Sequence, residues 1–135
     1  MSAMKFLIGV DIQDLRKFRR IINRGGDKFL GKVFTEREIG YCYRFRDPVP
    51  HLAARFSAKE ALIKALKPML VGRSFDWNEV EVVSSSGKPI FNFSERLKKI
   101  FKELGVREVE LSLSHSGNYA VAVVFIHRNA EPGGP

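Results

Sequence analysis

The stretch Phe56-Ser57-Ala58-Lys59-Glu60-Ala61-Leu62-Ile63-Lys64 lies inside a helix that should run from about His51 to Leu66, with Pro68 stopping it. At about 100° per residue, Leu52, Phe56, Leu62, Ile63 and Leu66 gather on one stripe. Lys59 falls near the middle of that stripe, Arg55 toward one margin and Glu60 toward the other. Charges that approach a core are costly unless paired or bound to an ion or ligand. Two accounts therefore stand side by side: an ion-pair network of Lys59, Glu60 and Arg55 with the lysine stem crossing apolar neighbours to reach water, or a site for a charged ligand.

Working outward, Phe6 to Asp11 reads as a short strand with Phe6, Ile8 and Val10 alternating to one face, and it ends on an acid. Gly9 within it would let backbone or ligand approach closely. Asp11 could cap the helix that follows or serve as a ligand. That helix spans Gln13 to about Asn23, with Leu15, Phe18 and Ile22 at helical spacing and Arg16, Lys17, Arg19, Arg20 and Arg24 on the remaining surface; Gly25-Gly26 should close it. Thr35 and Glu38 form a capping box for a second helix reaching toward Phe45, which Asp47-Pro48 and Pro50 break.

Beyond the central helix, a strand around Val80 to Val82 turns at Ser86-Gly87-Lys88-Pro89 into a second strand near Ile90 to Phe93. Ser94 caps another helix ending near Gly105. Val109, Leu111, Leu113 and His115 share one parity of a strand, and Ser116-Gly117-Asn118 leads into the apolar strand Tyr119 to Ile126. On that parity His115 fits a hydrogen-bonded core or strand-end histidine as well as a functional one. Helices interleave with hairpin-connected strands, which makes the fold class α+β with an antiparallel sheet packed with helices.

The 135 residues are 44% hydrophobic, enough for one compact domain over 1–128 and a flexible tail over 129–135. No stretch approaches the roughly 20 apolar residues of a membrane span, and there is no signal-peptide pattern. The single Cys42 cannot form an internal disulfide and reads as a small apolar side chain, which together point to a reducing, cytoplasmic setting. A net charge of +8 calls for an anionic partner without naming it. A nucleic-acid module would leave Asp11, Lys59 and Glu60 unexplained and lacks a recognised binding signature. A membrane-surface role would take the apolar helix face that a small core needs. An acid at a strand end and a glutamate among basic residues can together bind a hard cation, and magnesium takes one or two carboxylates completed by phosphate and water.

The segments Ile8-Gly9-Val10-Asp11 and Phe56 to Lys64 together resemble the paired motifs of the phosphopantetheinyl transferases. The resemblance extends through Val33-Phe34-Thr35-Glu36, Arg55, Gly87-Lys88-Pro89 and Ser112-Leu113-Ser114-His115-Ser116. In length the chain is similar to the short, single-repeat class that acts on acyl carrier proteins of fatty-acid synthesis. This resemblance implies transfer of 4'-phosphopantetheine from coenzyme A to a carrier serine, and a homotrimer with coenzyme A in clefts between subunits. It further implies Mg2+ held by Asp11 and Glu60, with Lys59 at the phosphate or attacking site. Arg55, Lys64, Gly87, Lys88, Pro89 and His115 would serve the coenzyme, and Arg16, Arg19, Arg20 and Arg24 would dock an acidic carrier protein. The proton acceptor could be a carboxylate or a water.

Overall fold

The computed structural model of the chain describes residues 5–129. Strand β1 (Phe6–Asp14) runs into a long helix α1 (Leu15–Val33), followed by α2 (Glu36–Cys42) and the central helix α3 (Val49–Leu66). A hairpin of β2 (Val80–Ser85) and β3 (Lys88–Phe93), helix α4 (Glu95–Glu103), and the strands β4 (Val106–Ser116) and β5 (Tyr119–Arg128) complete it. The main sheet has the order β1-β5-β4, antiparallel throughout, and β2-β3 forms a separate antiparallel pair. The α+β class with hairpin-linked strands packed on helices is the observed one.

Helix α3 is the axis of the molecule. Its alanines Ala58, Ala61 and Ala65 bring it against the inner face of the sheet, where Leu7, Leu111, Ala122, Val124 and Ile126 are buried. Its other side packs Leu52 and Ala53 with Phe18 and Leu30 of α1, Val33 and Phe34. The helix is thus buried nearly all round and has no single apolar stripe; Phe56 and Ile63 are only half-buried. A helix gripped on both sides cannot show the one-sided periodicity of a surface helix.

Gly9 fixes how closely β1 approaches this axis: a Cβ there would lie 1.9 Å from the Ala61 carbonyl oxygen and 2.9 Å from the Ala65 nitrogen. The backbone approach expected of that glycine is therefore an approach to α3. It also settles which face of β1 is buried. Leu7, Gly9 and Asp11 face the core, while Phe6, Ile8, Val10 and Ile12 are 53%, 67%, 55% and 62% exposed on the outer face of the sheet.

Two helix boundaries also differ from expectation. Gly25, at φ −139° and ψ 27°, kinks α1 without ending it, and Leu30 and Val33 carry its buried face a further two turns. The α2 capping box is present, with Thr35 Oγ accepting from Glu38 N–H and Glu38 Oε1 accepting from Thr35 N–H, but α2 stops at Cys42. Asp47 Oδ1 then accepts from the Val49 N–H where α3 begins. The hairpin turns work as read: Ser86 and Gly87 both take positive φ (51° and 81°) between the paired Ser85 and Lys88, the backbone of a tight two-residue turn. Gly117 does the same at φ 58° between β4 and β5. Most of the expected C-terminal tail lies outside the described residues, and Asn129 donates its N–H to the Gly105 carbonyl at 2.9 Å.

Candidate active site

The end of β1 crosses α3 where Ser57, Glu60 and Lys64 share one helix face, since offsets of three, four and seven residues return to the same side. Asp11 projects onto that face, buried to 8% exposure. Its Oδ1 accepts from Lys64 Nζ at 2.9 Å, and its Oδ2 accepts from Gln13 Nε2 at 2.7 Å and Ser57 Oγ at 3.0 Å. Lys64 also donates to the Val10 carbonyl at 3.2 Å and is 54% exposed in its side chain. Helix capping does not account for Asp11, because β1 continues through it and Asp14 is the N-cap of α1, accepting from Arg16 N–H.

Glu60 stands beside this group, and its carboxylate makes no hydrogen bond among the described residues. Partial burial pushes its carboxyl above the usual carboxylate range, the negative charge of Asp11 pushes it further, and Lys64 partly offsets both. Two acids held together with one solvated lysine between them form a site short of positive charge. Among the described residues no three His, Cys, Asp or Glu side chains converge as a metal cage. A pair of carboxylates next to open solvent is the donor set that suits magnesium when phosphate and water fill the remaining positions. The residues present fit that ion.

Lys59 is elsewhere. It points away from the acids to the opposite side of α3, is 1% exposed, and donates to Glu38 Oε1 (2.7 Å), the Val33 carbonyl (2.7 Å) and the Trp77 carbonyl (3.2 Å). All three ammonium protons are thereby taken by protein acceptors. Burial holds its pKa below the usual lysine value, and Glu38 offsets only part of that. Glu38, itself 1% exposed, also accepts from the Val82 N–H at 2.8 Å, so the pair joins α2, α3 and β2. The ion-pair network anticipated around Lys59 exists, but its acid is Glu38 and neither Glu60 nor Arg55 is paired with it.

Arg55 occupies a third location. Five residues before Glu60 and some 140° around the helix, it is 6% exposed and lies over the Tyr41 ring at 4.4 Å. Its Nη1 donates to the His51 carbonyl at 3.3 Å, and its buried Nε has no acceptor among the described residues. It lines a cavity of about 470 Å³ with Arg37, Tyr41, Arg44 and Ser84. A desolvated guanidinium with a spare donor, flanked by two further arginines, is a place for an anion. His115, exposed at the end of β4, meets His51 edge-on at 6.1 Å between centroids, and His51 stacks on Phe45 at 3.7 Å.

Gly87 lies in the turn of the β2-β3 hairpin and Lys88 and Pro89 begin β3 directly after it, where Lys88 pairs with Glu110 at 3.0 Å. On α1, Arg20 and Arg24 are exposed, Arg16 is held by Asp14, and Arg19 makes a two-pronged contact with Asp47 at 2.7 and 3.2 Å. Asp11, Glu60 and Lys64 thus converge within one chain, whereas Arg55 with His115, and Lys88, stand apart from them. Cys42 is fully buried, and burial pushes its thiol up to about 11. Nothing in the sequence points to a site role for Gln13, Ser57, Arg37, Tyr41 or Arg44, and Glu38 is legible there only as a helix cap. Only the alternation of aromatic and basic residues from Tyr43 to Arg46 offers a signal.

Residues 7–124 match the model of the 4'-phosphopantetheinyl transferase superfamily. The holo-[acyl-carrier-protein] synthase of Chlamydia caviae is 42% identical over 116 residues, 86% of this chain and 92% of that protein. The crystal structure of holo-[acyl-carrier-protein] synthase from Neisseria meningitidis superposes with a TM-score of 0.81 at 31% identity, covering 93% of this chain and all of that one. The Helicobacter pylori holo-[acyl-carrier-protein] synthase, solved in complex with coenzyme A, gives 0.77 at 26% identity over 89% of this chain and 99% of that one.

Proposed function

The chain belongs to the 4'-phosphopantetheinyl transferase superfamily and transfers 4'-phosphopantetheine from coenzyme A to apo acyl carrier protein, and from that premise we propose how its residues carry the transfer. The carrier group that accepts the arm is a serine hydroxyl, the other product is adenosine 3',5'-bisphosphate, and the reaction serves fatty-acid biosynthesis in the cytoplasm. The observation that supports the site assignment is the meeting of Asp11, Glu60 and Lys64 where β1 crosses α3.

Asp11 and Glu60 would hold Mg2+, which when bound would supply charge to orient the pyrophosphate and to offset that growing on the leaving bisphosphate. Lys64, long and solvated, turns from Asp11 to a phosphate oxygen. Lys59 acts at a distance: its pairing with Glu38 sets the packing of α3 against α2 and β2, and so the height at which Glu60 and Arg55 are presented.

The cavity at Arg55, with Arg37 and Arg44, takes another phosphate of the coenzyme, and Lys88, framed by Gly87 and Pro89, and His115 add charge and hydrogen bonds. These groups lie apart from Asp11 within one chain, which suits an active site completed between copies. The outer face of β1-β5, with Ile8, Val10, Ile12 and Val123 exposed, is an apolar surface of the kind that subunits cover, and supports a homotrimer. The basic flank of α1, with Arg16, Arg19, Arg20 and Arg24, steers an acidic carrier protein.

The test is an intact-mass assay of apo acyl carrier protein incubated with coenzyme A, Mg2+ and this protein. One phosphopantetheine should be added per carrier. Glu60→Gln should abolish the addition, and retention of magnesium-dependent turnover by that variant would refute the metal assignment.

A further inference from the structure

Ser57 is completely buried on α3, yet its hydroxyl does not return to its own helix. A serine in a helix interior ordinarily bonds back to a carbonyl one turn earlier. Here Ser57 Oγ reaches across to β1, 2.9 Å from the Asp11 carbonyl and 3.0 Å from Asp11 Oδ2, its one proton shared between them. Gln13, two residues along β1 on the same face, places Nε2 2.7 Å from that same Oδ2. The two carboxylate oxygens therefore differ. Oδ2 has two neutral donors, one buried and one half-buried, that nothing from solvent readily replaces. Oδ1 has only the ammonium of Lys64, whose side chain is 54% exposed and which has the Val10 carbonyl as an alternative acceptor.

We infer that Ser57 and Gln13 are positioning residues that pin the Asp11 carboxylate through Oδ2, so that a cation meets it through Oδ1 alone and exchanges places with the Lys64 ammonium. The inference rests on the assignment of a cation to Asp11 and Glu60 given above. It adds a selectivity. A carboxylate limited to one oxygen suits a small octahedral ion such as Mg2+ or Mn2+, whereas Ca2+ gains from a bidentate carboxylate and a larger coordination number. Removing either donor frees Oδ2 to swing toward the ion, which weakens the small ion by loss of orientation and narrows the preference over calcium.

The probe is Mn2+ alone, titrated into the full-length protein and read from the free-ion EPR signal, with Ca2+ added as competitor and thermal melts run alongside. Ser57→Ala and Gln13→Leu should each weaken Mn2+ about tenfold and lower the Mn2+/Ca2+ affinity ratio, with a folded melt retained. Where Ser57→Ala fails to fold, Gln13→Leu alone decides, because Gln13 is only half-buried. Wild-type Mn2+ affinity and an unchanged ratio in the folded variants overturn the positioning role. Asp11→Asn separates the two levels: if it abolishes Mn2+ binding while the Ser57 and Gln13 variants bind normally, only the positioning inference falls. If Asp11→Asn and Glu60→Gln both bind Mn2+ as the wild type does, the cation assignment itself falls.

Discussion

Replacing Gly9 by alanine tests the join on which the site depends. A methyl group at that position would sit 1.9 Å from the Ala61 carbonyl oxygen, roughly 1.5 Å short of ordinary contact. The obstacle is backbone, so no rotamer change relieves it, and β1 must lift from α3. Overpacking of this sort costs about 1–3 kcal/mol, and the upper end applies because the Ser57 to Asp11 hydrogen bonds stretch as well. Asp11 rides on the displaced strand while Glu60 stays on the helix, and a misplacement of about 1 Å at a reacting centre can cost on the order of a hundredfold in rate. Urea denaturation and the intact-mass assay together should show a protein that is less stable but folded, with turnover reduced disproportionately. Ala61→Gly in the same chain should bring no rescue, since it trims a side chain and leaves the carbonyl. Wild-type stability with full turnover in Gly9→Ala, or recovery with Ala61→Gly, would show that β1 and α3 do not meet as described.

Lys59→Met should destabilise by about 3–5 kcal/mol, because it strands the buried Glu38 carboxylate, and the double variant Lys59→Met/Glu38→Gln should recover a substantial part in urea melts. Burial, Arg55 and His115 hold the His51 pKa below its usual value of 6.5, with Asp47 pulling weakly the other way. The folded state therefore binds fewer protons there than the unfolded chain, so this contribution is complete above about 6.5 and declines as pH falls from there through the lower folded value. Denaturation at pH 7.5 and 5.5 should show a smaller loss in His51→Gln than in the wild type. Ile8→Lys places a charge at the middle of the outer sheet face, and analytical ultracentrifugation should show the proposed trimer reduced to monomers with turnover lost; an unchanged sedimentation coefficient would remove that face from the proposed interface.

What could be read in the sequence was local. The capping box at Thr35 and Glu38, the Ser94 cap and the two glycine turns depend on neighbours a few residues away, and each is present; Gly9 signals a close approach, but its partner, Ala61 of α3, is distant in sequence. The orientation of β1 was not legible, because both parities can be buried when a sheet face is available to a second copy. Phe6, Ile8 and Val10 are the more apolar set, while the inner set includes Gly9 and Asp11, chosen for what α3 requires. Gly25-Gly26 looked like a helix stop because the tertiary contacts of Leu30 and Val33 that sustain α1 beyond it are distant in sequence. At the candidate site the motifs name Asp11, Glu60 and Lys64, and the structure brings these three together. The pairing of Lys59 is not legible beside its expected place at the phosphate or attacking site, because its partner, Glu38, lies 21 residues away and already has a local role as a cap. Ser57 and Gln13 escaped because a hydroxyl and an amide carry no charge to mark them out.

Glu38 accepts from the Thr35 N–H, the Val82 N–H and Lys59, so one carboxylate fastens the start of α2, the base of the β2-β3 hairpin and the middle of α3. None of these can detach without leaving an ionised group in a dry environment, which couples their local opening. The hairpin is accordingly a fixed stalk, not a swinging lid. Lys88, beside its turn and paired with Glu110, is carried on a rigid mount, and in the role proposed for it only its own side chain would have to be ordered when the coenzyme arrives.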